Sequence, residues 1–297
     1  MTDRNRRQGR TFAPAGHFYS PLTDRAETKA YFGSDHYRAQ MARTDRHIDL
    51  DAMRALWADL ADRMVVFPFE RTEAFRYYGR NNQFEYYDAS ILSGMIRWLN
   101  PRRLIEIGAG FSSAAVFDTF DRTPDARLRS FLTIDPDLTR YHALRPPTFA
   151  EAAAMRVQEA DIAQFAALEA GDILFIDSSH VLKTGSDVHF EYLHILPVLK
   201  PGVIVHIHDI FYPFDYPKGW AVQEGRSWNE VYLVDMILTF GDMYEIVMFN
   251  DAFLQKCADE VRRPGDMFDR FESHDSRPMH RLNGSIWLRR TGQVANR

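Results

Sequence analysis

The chain has 297 residues, 45% hydrophobic and 26% charged, with a formal net charge of −5. That length suits one large α/β domain with an appendage, and the acidic balance gives no global cationic field to recruit nucleic acid. Cys257 is the only cysteine, which excludes an intramolecular disulfide and a multi-cysteine zinc site; with no apolar run near the ~20 residues of a membrane span and no signal-peptide core, a cytoplasmic protein without a membrane partner is expected.

The first 45 or so residues read as an arm with one short helix at most, lacking sustained periodicity. Arg4, Arg6, Arg7 and Arg10 open it as a solvated tail, whereas Phe18, Tyr19, Tyr31, Phe32 and Tyr37 are too many aromatics for pure disorder. Part of the arm is therefore expected to pack on the body or on a partner subunit. Between Asp49 and Met64 the apolar positions Met53, Leu56, Trp57, Leu60, Ala61 and Met64 fall at helical spacing, with Asp49 or Asp51 as cap. A polar and aromatic loop, Tyr77 to Asp88, leads into a second helix over Ala89 to Leu99, ended by Asn100-Pro101.

From Arg103 the elements alternate as a doubly wound sheet demands. Strands are expected at Arg103–Ile107, Phe131–Ile134, Met155–Val157, Ile173–Ile176 and Val203–Ile207, with helices over Ala114–Phe120, Ile162–Glu169 and Asp187–Leu199. Ser112 and Ser113 stand where the cap of the first of these helices belongs. After an aromatic, proline-containing loop from Phe211 to Trp220 comes a helix from about Ser227 to Phe240. Two further strands, Tyr244–Phe249 and Ser285–Leu288, are joined by a long connection with one helix near Asp251–Val261. With no crossover helix between them, these two strands make an antiparallel hairpin at the sheet edge. The expected fold is thus α/β: a Rossmann-like, seven-stranded, mostly parallel sheet over residues 81–297, preceded by an N-terminal arm and helical cap over residues 1–80.

The chemistry concentrates at strand ends, because open parallel sheets bind ligands outside the carboxyl ends of their strands. Glu106 lies in the first strand and is followed by Gly108 and Gly110; Asp135 ends the second strand, Asp161 follows the third and Asp177 ends the fourth. A carboxylate at such a place is an acceptor only, matched to ligand hydroxyls and amines; taken singly it can equally be a turn former or a helix cap. Glu-x-Gly-x-Gly followed by Ser113 lacks the third glycine of the dinucleotide fingerprint. It resembles the first motif of class I S-adenosylmethionine (SAM)-dependent methyltransferases. That resemblance implies a SAM site built from Glu106, Gly108, Gly110, Ser112, Asp135, Asp161 and Asp177. It assigns Glu106 to the methionine ammonium, Asp135 to the ribose hydroxyls and Asp161 to the adenine amine. The distance from Glu106 to Asp135 exceeds the roughly 20 residues usual in such folds, an excess that the segment Asp121–Asp125 would absorb.

Phe175-Ile-Asp-Ser-Ser-His180 and Val205-His-Ile-His-Asp-Ile-Phe211 carry a second constellation. They resemble the Ile-Asp-x-x-His and His-Asp pairs of small-molecule O-methyltransferases of the macrocin, rhamnosyl and cephalosporin-pathway kind, a likeness that covers roughly Asp88 to Phe211. Neighbouring fourth and fifth strands would bring Asp177, His180, His208 and Asp209 together. Asp177 and Asp209 are then candidate ligands for Mg²⁺ or another divalent cation, and His180 and His208 candidate general bases. His206 alternates with His208 on the fifth strand, so one of them is expected to point into the core, with His208, nearer the strand end, as the functional one. The aromatic loop with Trp228-Asn-Glu230 reads as a lid over an apolar or sugar-ring substrate or as a subunit contact.

These readings point to SAM-dependent methyl transfer to a small molecule, to a hydroxyl oxygen first, with a homo-oligomer formed through the arm or the aromatic loop. A SAM-binding module without catalysis is the first alternative. A nicotinamide-dependent oxidoreductase is the second, against the missing third glycine.

Overall fold

The computed structural model describes residues 12–81, 83–261 and 284–292. Its strands are β1 (Arg103–Ile107), β2 (Ser130–Ile134), β3 (Ala150–Ala153), β4 (Ile173–Ile176), β5 (Ile204–His208), β6 (Tyr244–Phe249) and β7 (Ser285–Arg290). They form one sheet in the order β3-β2-β1-β4-β5-β7-β6. β1 to β5 run parallel, and β7 is antiparallel to both β5 and β6. The expected α/β fold with an antiparallel C-terminal hairpin is therefore present. The interior strands are continuous apolar runs because helices cover both faces of a parallel sheet: every residue of β4 and β5 is buried.

Before the sheet come α1 (Arg25–Tyr31), α2 (Asp35–Thr44), α3 (Leu50–Ala61) and α4 (Tyr86–Leu99). Within it lie α5 (Phe111–Asp121), α6 (Thr139–Ala143), α7 (Ile162–Ala166), α8 (Asp187–Phe190) and α9 (Glu230–Phe240), and β6 leads into α10 (Asn250–Lys256) and α11 (Ala258–Val261). α3 matches its periodicity: Met53, Leu56, Trp57 and Leu60 face inward, and Asp49 accepts from Ala52 N at 3.0 Å. α4 ends at Asn100, whose left-handed backbone (φ 46°) stops the helix ahead of Pro101. α8 passes into a wider turn over Glu191–Ile195, where Pro197 supplies no N–H to continue the ladder.

Six expectations are corrected. The arm holds two helices, which lack an apolar face but are tied down by polar bonds. Arg43 pairs with Asp235 on α9, Thr44 Oγ1 donates to Pro213 O at 2.8 Å, and Thr23 N donates to Ser227 Oγ at 3.1 Å. Tyr31, Phe32 and Tyr37 cluster edge-on with one another, whereas Phe18 and Tyr19 stand exposed. β3 lies at Ala150–Ala153 and not at Met155–Val157, because register with β2 at the sheet edge outweighs the weak β-propensity of alanine. α5 starts at Phe111, so Gly110 is its cap and Ser113, at the third helical position, accepts from Gly110 N at 3.2 Å. The helix expected from Ser227 begins at Glu230, and the segment near Asp251–Val261 is two short helices broken at Cys257. Finally, His206 and His208 lie on one face of β5, as residues two apart must, their rings 6.4 Å apart. They differ in depth: His206 is sandwiched between Phe175 (4.2 Å) and Trp287 (4.5 Å), where burial pushes its pKa well below the usual histidine range. The basic tail, Arg4 to Arg10, and most of the connection between α11 and β7 lie outside the described residues.

Candidate active site

The turn after β1 is built around Glu106. Its carboxyl is wholly buried and takes both serine hydroxyls of the helix start, from Ser112 at 2.7 Å and from Ser113. Burial pushes its pKa up to about 7 against the opposing pull of Ser113 and Ser112. Glu106 and Ser112 therefore spend their polar atoms on each other and shape the turn from inside. Asp135 clamps the same turn from β2, accepting from Ala109 N at 2.9 Å and from Asp137 N at 2.7 Å. A carboxylate has about four lone-pair sites, so these two bonds leave it acceptor capacity toward a ligand. Asp161 caps α7, accepting from Ala163 N at 2.9 Å on an otherwise exposed side chain.

The two glycines are small for different reasons. Gly108 has φ 91°, and a Cβ there would come within 2.2 Å of the Asp177 carbonyl oxygen. Only glycine fits, and the contact fastens the turn to the end of β4. At Gly110 the nearest atoms to an added Cβ belong to Arg140, at 3.9 Å and beyond. Protein packing alone does not require a glycine there.

At the ends of β4 and β5 the sequence-predicted residues converge. His180 Nε2 lies 3.4 Å from Asp177 Oδ1 and 3.4 Å from Asp209 Oδ2. His208 Nδ1 lies 3.4 Å from Asp177 Oδ1 and 3.8 Å from Asp209 Oδ1. Both His180 (φ 59°) and Asp209 (φ 56°) adopt the left-handed backbone that costs a residue with a Cβ of order 1 kcal/mol or more. Contacts from other elements hold them so. The His180 carbonyl accepts from Asn229 N (3.1 Å) and Glu230 N (3.2 Å), and Glu230 Oε2 sits 2.9 Å from His180 Nδ1. On the far side Asp88 Oδ2 lies 3.6 Å from His208 Nε2, itself fixed by Asn250 Nδ2 and Gly284 N. Trp228 packs on His180 at 4.5 Å and Trp220 packs on Trp228 at 5.5 Å, so the segment after β5 walls the cluster with aromatic rings.

Charge follows from this packing. Burial opposes protonation of His180, yet bonds to Asp177 and Glu230 and the charge of Asp209 carry its pKa up to about 10. Burial likewise opposes His208, and Asp209 and Asp177 raise it well above the usual range. For Asp177 burial works upward but the two imidazoles prevail and hold its carboxyl well below the usual range; for Asp209 burial prevails and its pKa is raised.

Residues 105–210 match a family model described as a methyltransferase domain. That match falls on β1 to β5, the parallel part of the sheet. Over these residues the chain carries a methyltransferase domain. Solved structures similar to the methyltransferase include a Thermobifida fusca putative methyltransferase (14% identity, 96% of this chain and 100% of that one, TM-score 0.44). Others are the SAH-bound Podospora anserina methyltransferase PaMTH1 (13%, 88% and 97%, 0.42) and CmcI with Mg and SAM (16%, 70% and 72%, 0.36). No curated protein matches.

Sequence reasoning missed two members of the methyltransferase's cluster, Asp88 and Glu230. The sequence reading leaves Asp88 at the end of a polar loop and Glu230 in the aromatic lid segment, neither beside a histidine; their burial, at 1% and 0% exposure, is what marks them. The cluster's donor set also suits a divalent cation. One ligand atom each from Asp177, His180 and Asp209 lie within 4.8 Å of one another, a set of hard oxygens and one imidazole. Four carboxylates surround two imidazoles, so negative charge is in excess even with both rings protonated. No helix among the described residues is long and apolar enough to cross a membrane.

Proposed function

We propose that this methyltransferase transfers the methyl group of SAM to a hydroxyl oxygen of a small-molecule acceptor, with Asp177, His180 and Asp209 holding a divalent cation. The observation that carries the reading is the direct contact between the glycine turn and the cluster: Gly108 packs against the Asp177 carbonyl, so a cofactor lying on the turn has its reactive end beside these side chains. A hydroxyl must lose its proton as its oxygen is methylated, whereas an amine keeps a usable lone pair. The polar cluster therefore suits an oxygen acceptor best. A cation bound there would act as a Lewis acid that lowers the acceptor hydroxyl's pKa. Asp177 and Asp209 supply oxygens, Glu230 orients His180 so that Nε2 faces them, and Asp88 does the same for His208. Asp135 supports the ribose and Gly110 the close approach of the cofactor. Trp220 and Trp228 exclude water and face the acceptor's apolar or ring surface.

A second reading makes His180 or His208 an unassisted general base, and the orienting contact from Glu230 supports it too. Either reading requires His180 to give up the proton that Asp177 and Glu230 help it hold, since an imidazolium can neither bind a cation nor accept a proton. Turnover of SAM with a panel of phenolic and sugar acceptors, before and after EDTA, separates the two. The cation reading expects loss with EDTA and recovery with Mg²⁺ or Mn²⁺. EDTA-insensitive turnover with an ascending limb near pH 6 to 7 would favour the histidine.

A further inference from the structure

Away from the strand-end cluster, a cavity of about 180 Å³ opens on the other side of the glycine turn, lined by Arg71, Arg76, Arg140 and Arg145 together with Gly110 and Phe111. Among the described residues no carboxylate lines it. Arg76 is paired with Asp118 and Asp121, and Arg140 donates to the Gln83 amide oxygen. Arg71, Arg140 and Arg145 thus have no carboxylate partner among the described residues. Guanidinium groups that converge on one cavity repel one another, and the repulsion is relieved by an anion with oxygens for their forked donors. The start of the 11-residue helix α5 adds its positive end to the same wall, since Gly110 and Phe111 are its cap and first residue. An added Cβ at Gly110 would meet nothing closer than Arg140 at 3.9 Å, so the turn leaves room beside this cavity.

We propose that the cavity binds the phosphate or carboxylate group of a small-molecule ligand other than SAM. The cofactor brings a single carboxylate, which one guanidinium fork saturates; three unmatched guanidinium groups call for more negative charge than that. The ligand is then an acidic acceptor or an acidic effector, recognised by the oxygens of its anionic group.

The test is calorimetric titration of inorganic phosphate, and separately malonate, into the full chain, alone and saturated with S-adenosylhomocysteine. Wild type is compared with Arg71→Gln, Arg145→Gln and the double variant, both side chains being exposed. The expected result is anion binding that persists with the cofactor product bound and weakens by roughly tenfold or more in the double variant, with S-adenosylhomocysteine affinity kept within roughly threefold. Absence of binding by both anions, or equal binding by the double variant, overturns the proposal. So does displacement of the anion by S-adenosylhomocysteine but not by 5′-methylthioadenosine, which lacks the carboxylate and would assign the cavity to the cofactor. Failure of the cofactor arm alone would strike the methyl-transfer reading and leave the anion arm readable on the free protein.

Discussion

Glu106 near the end of β1 and Asp177 just after β4 lie on neighbouring strands, and their surroundings drive their pKa values in opposite directions. Glu106 is wholly enclosed and meets only hydroxyls, so burial prevails and its pKa rises to about 7. Asp177, with 31% of its side chain exposed, meets two imidazoles and is held ionised well below the usual range. Strand-end position marks both as candidates; what each does is decided by the sign and solvation of its neighbours. On that comparison the turn is a shaped support whose acid holds its proton more readily, and the β4/β5 end is a charged centre able to hold a cation.

The largest effect expected from breaking this contrast is at the charged centre. Asp177→Asn or Asp209→Asn should lower methyl transfer to an identified acceptor by roughly 10²- to 10⁴-fold without loss of fold by circular dichroism. Rates within a few-fold of wild type would make the cluster structural.

The support makes a prediction of opposite kind, about stability and pH. Because the folded pKa of Glu106 lies above that of an unfolded glutamate, about 4.3, its stabilisation is complete below that value and is lost as pH rises toward 7. The loss amounts to about 4 kcal/mol. Buried Asp251, also pushed up to about 7, acts with the same sign. Denaturant unfolding at about pH 5 and pH 8 should show wild type weakening with pH and Glu106→Gln weakening roughly half as much. An unchanged slope would contradict the assignment.

Asp135→Ala tests the boundary between support and ligand site. It should weaken S-adenosylhomocysteine binding by about 1 to 3 kcal/mol in calorimetry. Normal cofactor affinity with reduced stability would leave Asp135 as a clamp on Ala109 and nothing more. The smallest effect is expected from Ser112→Ala, about 1 kcal/mol of stability, read as a shift in the unfolding midpoint at acid pH with cofactor affinity unchanged.

Much of this contrast can be read from residue order. β1, β4 and β5 are legible because buried parallel strands are unbroken apolar runs stopped by glycine or aspartate. Asp177, His180, His208 and Asp209 are legible because adjacent parallel strands end at one edge. β3 was misplaced because Ala150-Glu-Ala-Ala153 has little strand character apart from its pairing with β2. α1 and α2 escaped because ion pairs and hydrogen bonds to distant residues hold them, which leaves no periodicity to read. Asp88 and Glu230 were hidden for the same reason: an acid near a helix start looks alike whether it faces water or a histidine brought in by the fold.

The central claim is that the β4/β5 end is a cation site beside bound cofactor, and titration of Mn²⁺ into the protein saturated with S-adenosylhomocysteine tests it most directly. Binding at one site, abolished in the Asp177→Asn/Asp209→Asn double variant that still binds S-adenosylhomocysteine, is the predicted result; Mn²⁺ binding that is absent from wild type, or equal in the double variant, would contradict it.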